Sequence, residues 1–260
     1  MTFTETIWAR YTDELKVAIE HPFLAAAGKH EISREKLSEW LTQDRSYALK
    51  GYPKFIAQLI LALPLSSPAQ QTSAQSLLAL FSYCLSNISR EVGFFDSLGP
   101  KYNLDLSFSP PQGKDGKLQG KSLKPATKAY VDTLIATGAE ASRNGGGVEE
   151  GMVLLWAMEK VSPLQPVFSF ALSEPSPEAT QAWSYASRQT VSPGKTDEQT
   201  SAALVELIDN WTNQEFVDFN DNIEKELDKL DIQEGTEKWE RCEEMFKYTL
   251  WLEQRFWPDM

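Results

Sequence analysis

Helical periodicity dominates the chain, and its clearest example is the segment Leu37–Ile60. Apolar residues recur there every three or four positions, the spacing of a helix with one face turned towards a core. Pro53 predicts a kink within this helix. Asp44 interrupts the apolar face, three residues after Leu41 and four before Ala48. Because burying an unpartnered carboxylate is costly, Asp44 is predicted to be paired, protonated or facing a cavity. Its role is either structural, in a salt bridge or a helix-cap contact, or functional, as a carboxylate that points into a pocket.

The last helix, which begins at Glu237, has the same feature. Glu253 lies on its apolar face, three residues after Leu250 and four before Trp257. Two carboxylates on the inward faces of distant helices can meet in one cavity. Such proximity separates their pKa values, which suits them to acid and base catalysis.

The remaining segments predict a single all-helical domain over residues 1–260. No segment shows the alternating pattern of a strand. Thr212 is a candidate N-cap for the penultimate helix. Two stretches without a sustained period, 99–125 and 174–200, are predicted loop insertions, the second with one short helix near 179–188. The other predicted helices are 4–20, 73–98, 126–143, 148–172, 201–211 and 213–230.

Composition narrows the classes of function. The formal charge of −12 argues against binding to nucleic acid or to an anionic membrane surface. No apolar run reaches the length that spans a bilayer, and the first fifteen residues lack the pattern of a signal peptide, so we expect a cytoplasmic protein. Cys84 and Cys242 lie on apolar helix faces and are predicted to be buried free thiols. With only two histidines, a multi-histidine metal site is not expected.

Three segments of the chain form a recognisable set. They are His21-Pro22-Phe23, followed by Trp40-Leu41-x-Gln43-Asp44-x-x-Tyr47; then the segment 210–230; and finally Leu252-Glu253-x-x-Phe256-Trp257. Together they resemble the TenA (thiaminase II) family. The resemblance implies the haem-oxygenase-like all-helical fold and hydrolysis of thiamin-related aminopyrimidines in thiamin salvage, with no cofactor.

The same resemblance implies roles for five residues. Asp44 would hydrogen-bond the pyrimidine amino group and a neighbouring ring nitrogen, while Tyr47 and Tyr130 would line the pocket. Glu253 would bind the pyrimidine and shuttle protons. One branch of the family has a nucleophilic cysteine in the fifth helix, where this chain is similar to a second branch with a glutamate, Glu159. Glu159 would then activate water or attack directly.

Two departures keep more than one function open. Ser162 and Leu204 stand where the family has aromatic pocket residues. The chain is therefore interpreted either as a hydrolase that uses pocket carboxylates, releasing an amine or amide group, or as a non-catalytic relative that binds or senses a small molecule. Haem oxygenases share only the fold, and His21 before Pro22 is more typical of a helix cap than of a haem ligand. The two loop insertions would cover or narrow the mouth of the pocket. The sequence neither requires nor excludes a homo-oligomer.

Overall fold

The computed structural model describes residues 1–65, 71–107, 123–143, 147–161 and 182–260. In these ranges the chain forms helices and no strand, which confirms the prediction of an all-helical bundle. The helices in the described ranges are α1 (Phe3–Arg10), α2 (Thr12–Ile19), α3 (Pro22–Gly28), α4 (Arg34–Lys50), α5 (Tyr52–Ala62), α6 (Gln71–Lys101), α7 (Pro125–Ala141), α8 (Glu149–Val161), α9 (Ala182–Ser187), α10 (Glu198–Asn210), α11 (Gln214–Asp228) and α12 (Glu237–Phe256).

The predicted kinked helix over 37–60 is in fact two helices. Gly51 ends α4, and Pro53 lies in the first turn of α5. A proline is well accommodated there, because the first-turn N–H groups have no partner within a helix. The interruption predicted near Pro53 is therefore present, as a full break at Gly51 and not as a bend within one helix.

The N-terminal segment and the cap of α11 also differ from expectation. The helix predicted over 4–20 breaks at Tyr11 into α1 and α2. His21 caps α3, a short helix with no sequence prediction, by accepting the backbone N–H of Phe23 at 3.2 Å. The cap of α11 is Asn213, whose side chain accepts the N–H of Phe216, and not Thr212. A capping side chain must lie directly before the first helical residue, so a shift of one position replaces one cap with the other.

The two predicted loop insertions are only partly described. Helix α6 continues to Lys101 and α7 begins at Pro125, so most of 99–125 connects these two helices, and residues 108–122 lie outside the described part. Within 174–200 the structure shows α9, close to the predicted short helix, and the start of α10. Ser162 and the rest of 162–181 lie outside the described residues.

Helix α8 occupies the centre of the bundle. It packs against α7, α11 and α12, while α5 packs against α6 and α7. Every residue of α8 from Gly151 to Glu159 is buried, so this helix has no solvent-facing side over that length. A carboxylate within this stretch of α8 therefore lies in the interior, whichever side of the helix carries it. None of the helices in the described ranges is long and apolar enough to cross a membrane.

Candidate functional site

A narrow cavity opens among α4, α5, α6, α8 and the start of α11. Its empty space, counted up to and including the mouth, is about 520 Å³. Three carboxyl side chains line it, from Asp44, Glu91 and Glu159, and no lysine, arginine or histidine of the described residues does so. The other lining side chains are mostly aromatic or apolar: Tyr47, Ala48, Tyr52, Asn87, Ile88, Phe95, Met158, Trp211 and Phe216.

Asp44 reaches the cavity from the inward face of α4. Its side chain is half-buried, and within the described part of the chain it forms neither an ion pair nor a hydrogen bond. Burial raises the pKa of Asp44 well above its usual value, and the charges of Glu91 and Glu159 raise it further. Such a carboxyl group holds its proton more tightly than an exposed aspartate does. The ion pair that would make Asp44 structural is not formed with any described residue.

Glu159 reaches the same cavity from α8 and is only 7% exposed. The hydroxyl of Tyr52 donates a 2.7 Å hydrogen bond to its Oε1 atom. Burial is the main cause that raises the pKa of Glu159 to about 7. The hydrogen bond from Tyr52 lowers this pKa, and the charge of Glu91 raises it. A carboxyl group with a pKa near neutrality can both accept and donate a proton at physiological pH. The neighbouring Lys160 forms its ion pair elsewhere, with Glu224 at 2.9 Å.

Glu253 and Tyr130 lie in a layer behind this cavity. Glu253 is 1% exposed, and its Oε1 atom accepts a hydrogen bond from the hydroxyl of Tyr130. The ring of Tyr130 packs edge-on against that of Tyr47, with 5.2 Å between centroids, and Tyr47 lines the cavity. The structure therefore brings Asp44, Tyr47 and Glu159 onto one cavity. It does not bring Glu253 or Tyr130 onto that surface, in contrast to the expectation that Asp44 and Glu253 meet there.

Glu91 is a lining carboxylate that sequence reasoning missed. It accepts hydrogen bonds from the indole N–H of Trp211 and, more weakly, from the side-chain amide of Asn210 at 3.4 Å and 3.5 Å. A signal was present, because Glu91 follows Ile88 by three residues and precedes Phe95 by four on the apolar face of α6. This is the same interruption that singled out Asp44 and Glu253.

Neither cysteine offers a nucleophile to the cavity. Cys84 and Cys242 are buried free thiols, as predicted. Burial and the charge of Glu159 raise the pKa of Cys84 well above its usual range, and burial raises that of Cys242 to about 12. Both thiols therefore stay protonated near neutral pH. Leu204, at a position where the resemblance expects an aromatic residue, is fully buried in the core and does not line the cavity.

Comparison with solved structures finds proteins of similar architecture. A TenA homologue from Pyrococcus furiosus superposes with a TM-score of 0.69 at 22% sequence identity, with 98% of each chain covered. A TenA homologue from P. horikoshii OT3 superposes with a TM-score of 0.62 at 16% identity, covering 99% of this chain and 97% of that one. At these identities the likeness concerns the fold.

Comparison with curated sequences gives a longer relative. A protein of Fusarium pseudograminearum (strain CS3096) named "Probable transcription factor" is 27% identical over 266 residues, which cover 95% of this chain and 49% of that protein. The chain thus spans about half the length of this relative. No protein-family model matches the sequence. What the comparisons establish is that the chain has the haem-oxygenase-like fold of the TenA homologues.

Proposed function

We propose that the cavity binds an aminopyrimidine related to thiamin and hydrolyses the bond that attaches an amine or amide substituent to it. The observation that carries this proposal is that Asp44 and Glu159, two carboxyl groups with raised pKa values, line one cavity with aromatic walls. The shared fold with TenA homologues supports the same assignment.

Asp44 suits the amino edge of the ring. An aminopyrimidine presents an N–H donor beside a ring nitrogen that accepts a hydrogen bond. A protonated carboxyl group offers the matching pair, an O–H donor and a carbonyl acceptor. The raised pKa of Asp44 favours its neutral form, so binding of the ring does not have to bury a charged carboxylate. Tyr47 and Tyr52 supply aromatic wall against the ring.

Glu159 suits the base that activates water. In the proposed reaction it takes a proton from water, whose oxygen bonds to the carbon that loses the substituent. The carbon–nitrogen bond breaks, and the leaving nitrogen takes up the proton that Glu159 took from water. Glu253 does not line the cavity, and it is proposed to act at one remove, by holding the hydroxyl of Tyr130, whose ring packs against Tyr47 of the cavity wall. This division of work gives the role of general base to a carboxyl group whose pKa of about 7 lets it accept and return a proton near neutral pH.

The test is incubation of the protein with a panel of thiamin fragments, followed by mass spectrometry of the products. The wild type should release the amine or amide, and Glu159→Gln should lower the rate about 10²–10⁴-fold, the usual effect of removing a general base. Glu226→Gln is the matched control, because Glu226 is also 7% exposed but bonds to Ser76 and Lys229 outside the cavity.

Two results would contradict the proposal. A Glu159→Gln variant as active as the wild type would remove Glu159 from the reaction. Binding of an aminopyrimidine by the wild type without any turnover would instead favour the ligand-binding role that the sequence left open.

A further inference from the structure

Tyr52 is held against Glu159 by the break between α4 and α5. Gly51 ends α4, and a side chain at that position would lie only 2.8 Å from a methyl carbon of Leu134, so the chain passes close to α7 there. Tyr52 is the first residue of α5 and is 2% exposed. Its ring packs edge-on against that of Tyr47, with 6.4 Å between centroids, and its hydroxyl reaches Oε1 of Glu159. The break thus directs a buried phenol towards the carboxyl group of α8.

The hydroxyl of Tyr52 acts as a donor to Glu159. Burial raises the pKa of this hydroxyl well above its usual value, and the charge of Glu159 raises it further, so the hydroxyl keeps its proton at neutral pH. The thiol of Cys84 interacts with the same hydroxyl, but burial raises the pKa of that thiol as well. A protonated thiol is a weak acceptor. The proton of Tyr52 is therefore shared with the carboxyl oxygen and not with the sulfur.

This bond occupies one oxygen of Glu159 and leaves the other to the cavity. Tyr52 takes Oε1, and none of the described residues donates a hydrogen bond to Oε2. Since Glu159 lines the cavity, Oε2 is the atom that can meet a water molecule there. An anchored carboxyl group presents that atom in one place. This matters because a small misplacement of a reacting group is costly in rate.

The same bond favours the ionised form of Glu159. Burial and the charge of Glu91 raise the pKa of Glu159, whereas the hydrogen bond from Tyr52 lowers it. A donor that points at a carboxylate stabilises the charged form more than the neutral one. The ionisable groups around Glu159 are acids: Asp44 and Tyr47 from α4, Tyr52 from α5, Cys84 and Glu91 from α6, and Tyr130 from α7 with Glu253 from α12 behind it.

We propose that Tyr52 is a positioning residue for the general base: its hydroxyl anchors Oε1 of Glu159, so that Oε2 faces the attacking water as a carboxylate oxygen. Tyr52 acts through Glu159 and takes no proton itself. This inference rests on the proposed function, because it names the residue that prepares the base of that reaction.

The experiment measures kcat and KM between about pH 5 and pH 9 for hydrolysis of 4-amino-5-aminomethyl-2-methylpyrimidine. The wild type is compared with Tyr52→Phe, which keeps the aromatic ring and removes the hydroxyl. A second protein carries 3-fluorotyrosine at position 52, which keeps the bond and makes its donor more acidic. The matched control is Tyr11→Phe, because Tyr11 also donates a 2.7 Å hydrogen bond to a glutamate, Glu243, and neither residue lines the cavity. Circular dichroism checks that each protein is folded.

The kcat/KM of the wild type should rise with pH around a midpoint near 7, where Glu159 loses its proton. Tyr52→Phe should move this midpoint up by about one pH unit, the size expected when a carboxylate loses a hydrogen-bond donor, and should lower kcat above the midpoint about tenfold. Its KM should change less than about twofold, because the ring remains. The fluorinated protein should keep its kcat and move the midpoint down. Tyr11→Phe should match the wild type.

An unshifted midpoint in Tyr52→Phe would overturn the inference, whether kcat is kept or lowered, because it would mean that Tyr52 only fills the wall. If Tyr52→Phe does not fold, the fluorinated protein decides the matter, and an unshifted midpoint there overturns the inference. In these cases the wild type still hydrolyses the substrate, and the proposed function stands. A folded wild type without turnover would contradict the proposed function itself, and this inference with it.

Discussion

Replacing Glu159 by Gln should stabilise the protein while it abolishes activity. Glu159 is 7% exposed, and its pKa is raised from 4.5 to about 7. The folded state therefore binds this proton more tightly than the unfolded state does. The stability that the group contributes is complete below about pH 4.5 and is lost as the pH rises to about 7. Above that pH the buried carboxylate costs about 3 kcal/mol relative to a neutral group of the same shape.

Glutamine removes this cost, because it is neutral and can still accept the hydrogen bond from Tyr52. Urea unfolding at 25 °C should show Glu159→Gln more stable than the wild type by up to about 3 kcal/mol near pH 8, and by only about 1 kcal/mol near pH 5. The control is Glu226→Gln, which leaves Lys229 without its carboxylate partner and should be no more stable than the wild type at either pH. A Glu159→Gln variant with no gain near pH 8, or with an equal gain at both pH values, would refute the reasoning.

Three further substitutions test other parts of the account. Asp44→Asn should keep or raise the melting temperature and weaken aminopyrimidine binding; a loss of about 3–5 kcal/mol in urea unfolding with unaltered affinity would instead indicate a structural ion pair. Replacing Cys84 and Cys242 by Ala, or alkylating the protein, should leave the turnover number measured by mass spectrometry intact apart from any packing loss; inactivation would point to a thiol nucleophile. Tyr130→Phe should cost about 1–3 kcal/mol in urea unfolding, because the buried Glu253 loses a hydrogen-bond donor; unchanged stability would count against that bond.

Helix periodicity predicted the direction of side chains well and their depth poorly. Asp44 was singled out because a polar residue interrupts an apolar face, and it lies at a cavity. Glu253 has the same signal and is buried, but one aromatic layer away, behind Tyr130 and Tyr47. A helix face tells only that a side chain points into the bundle. Which neighbours stand in front of it depends on the packing of other helices, which the local pattern does not contain.

Other features were beyond the local pattern for different reasons. The position of Glu159 at the cavity was weakly signalled, because α8 is buried on all sides and offers no polar face to compare with. The hydrogen bond between Tyr52 and Glu159 could not be predicted from a local pattern, because the two residues are 107 positions apart. Glu91 did carry the interrupted-face signal. It was missed because no resemblance drew attention to it.

The central claim is that Glu159 activates water for attack on an aminopyrimidine, and one measurement tests it most directly. The wild type is incubated in ¹⁸O-labelled water with a thiamin-related aminopyrimidine that carries an aminomethyl group. The mass of the pyrimidine product is then measured by mass spectrometry. The account predicts an alcohol product with one ¹⁸O atom from the wild type and at least about 100-fold less of it from Glu159→Gln. Absence of the labelled alcohol from the wild type, or its formation by Glu159→Gln at the wild-type rate, would contradict the account.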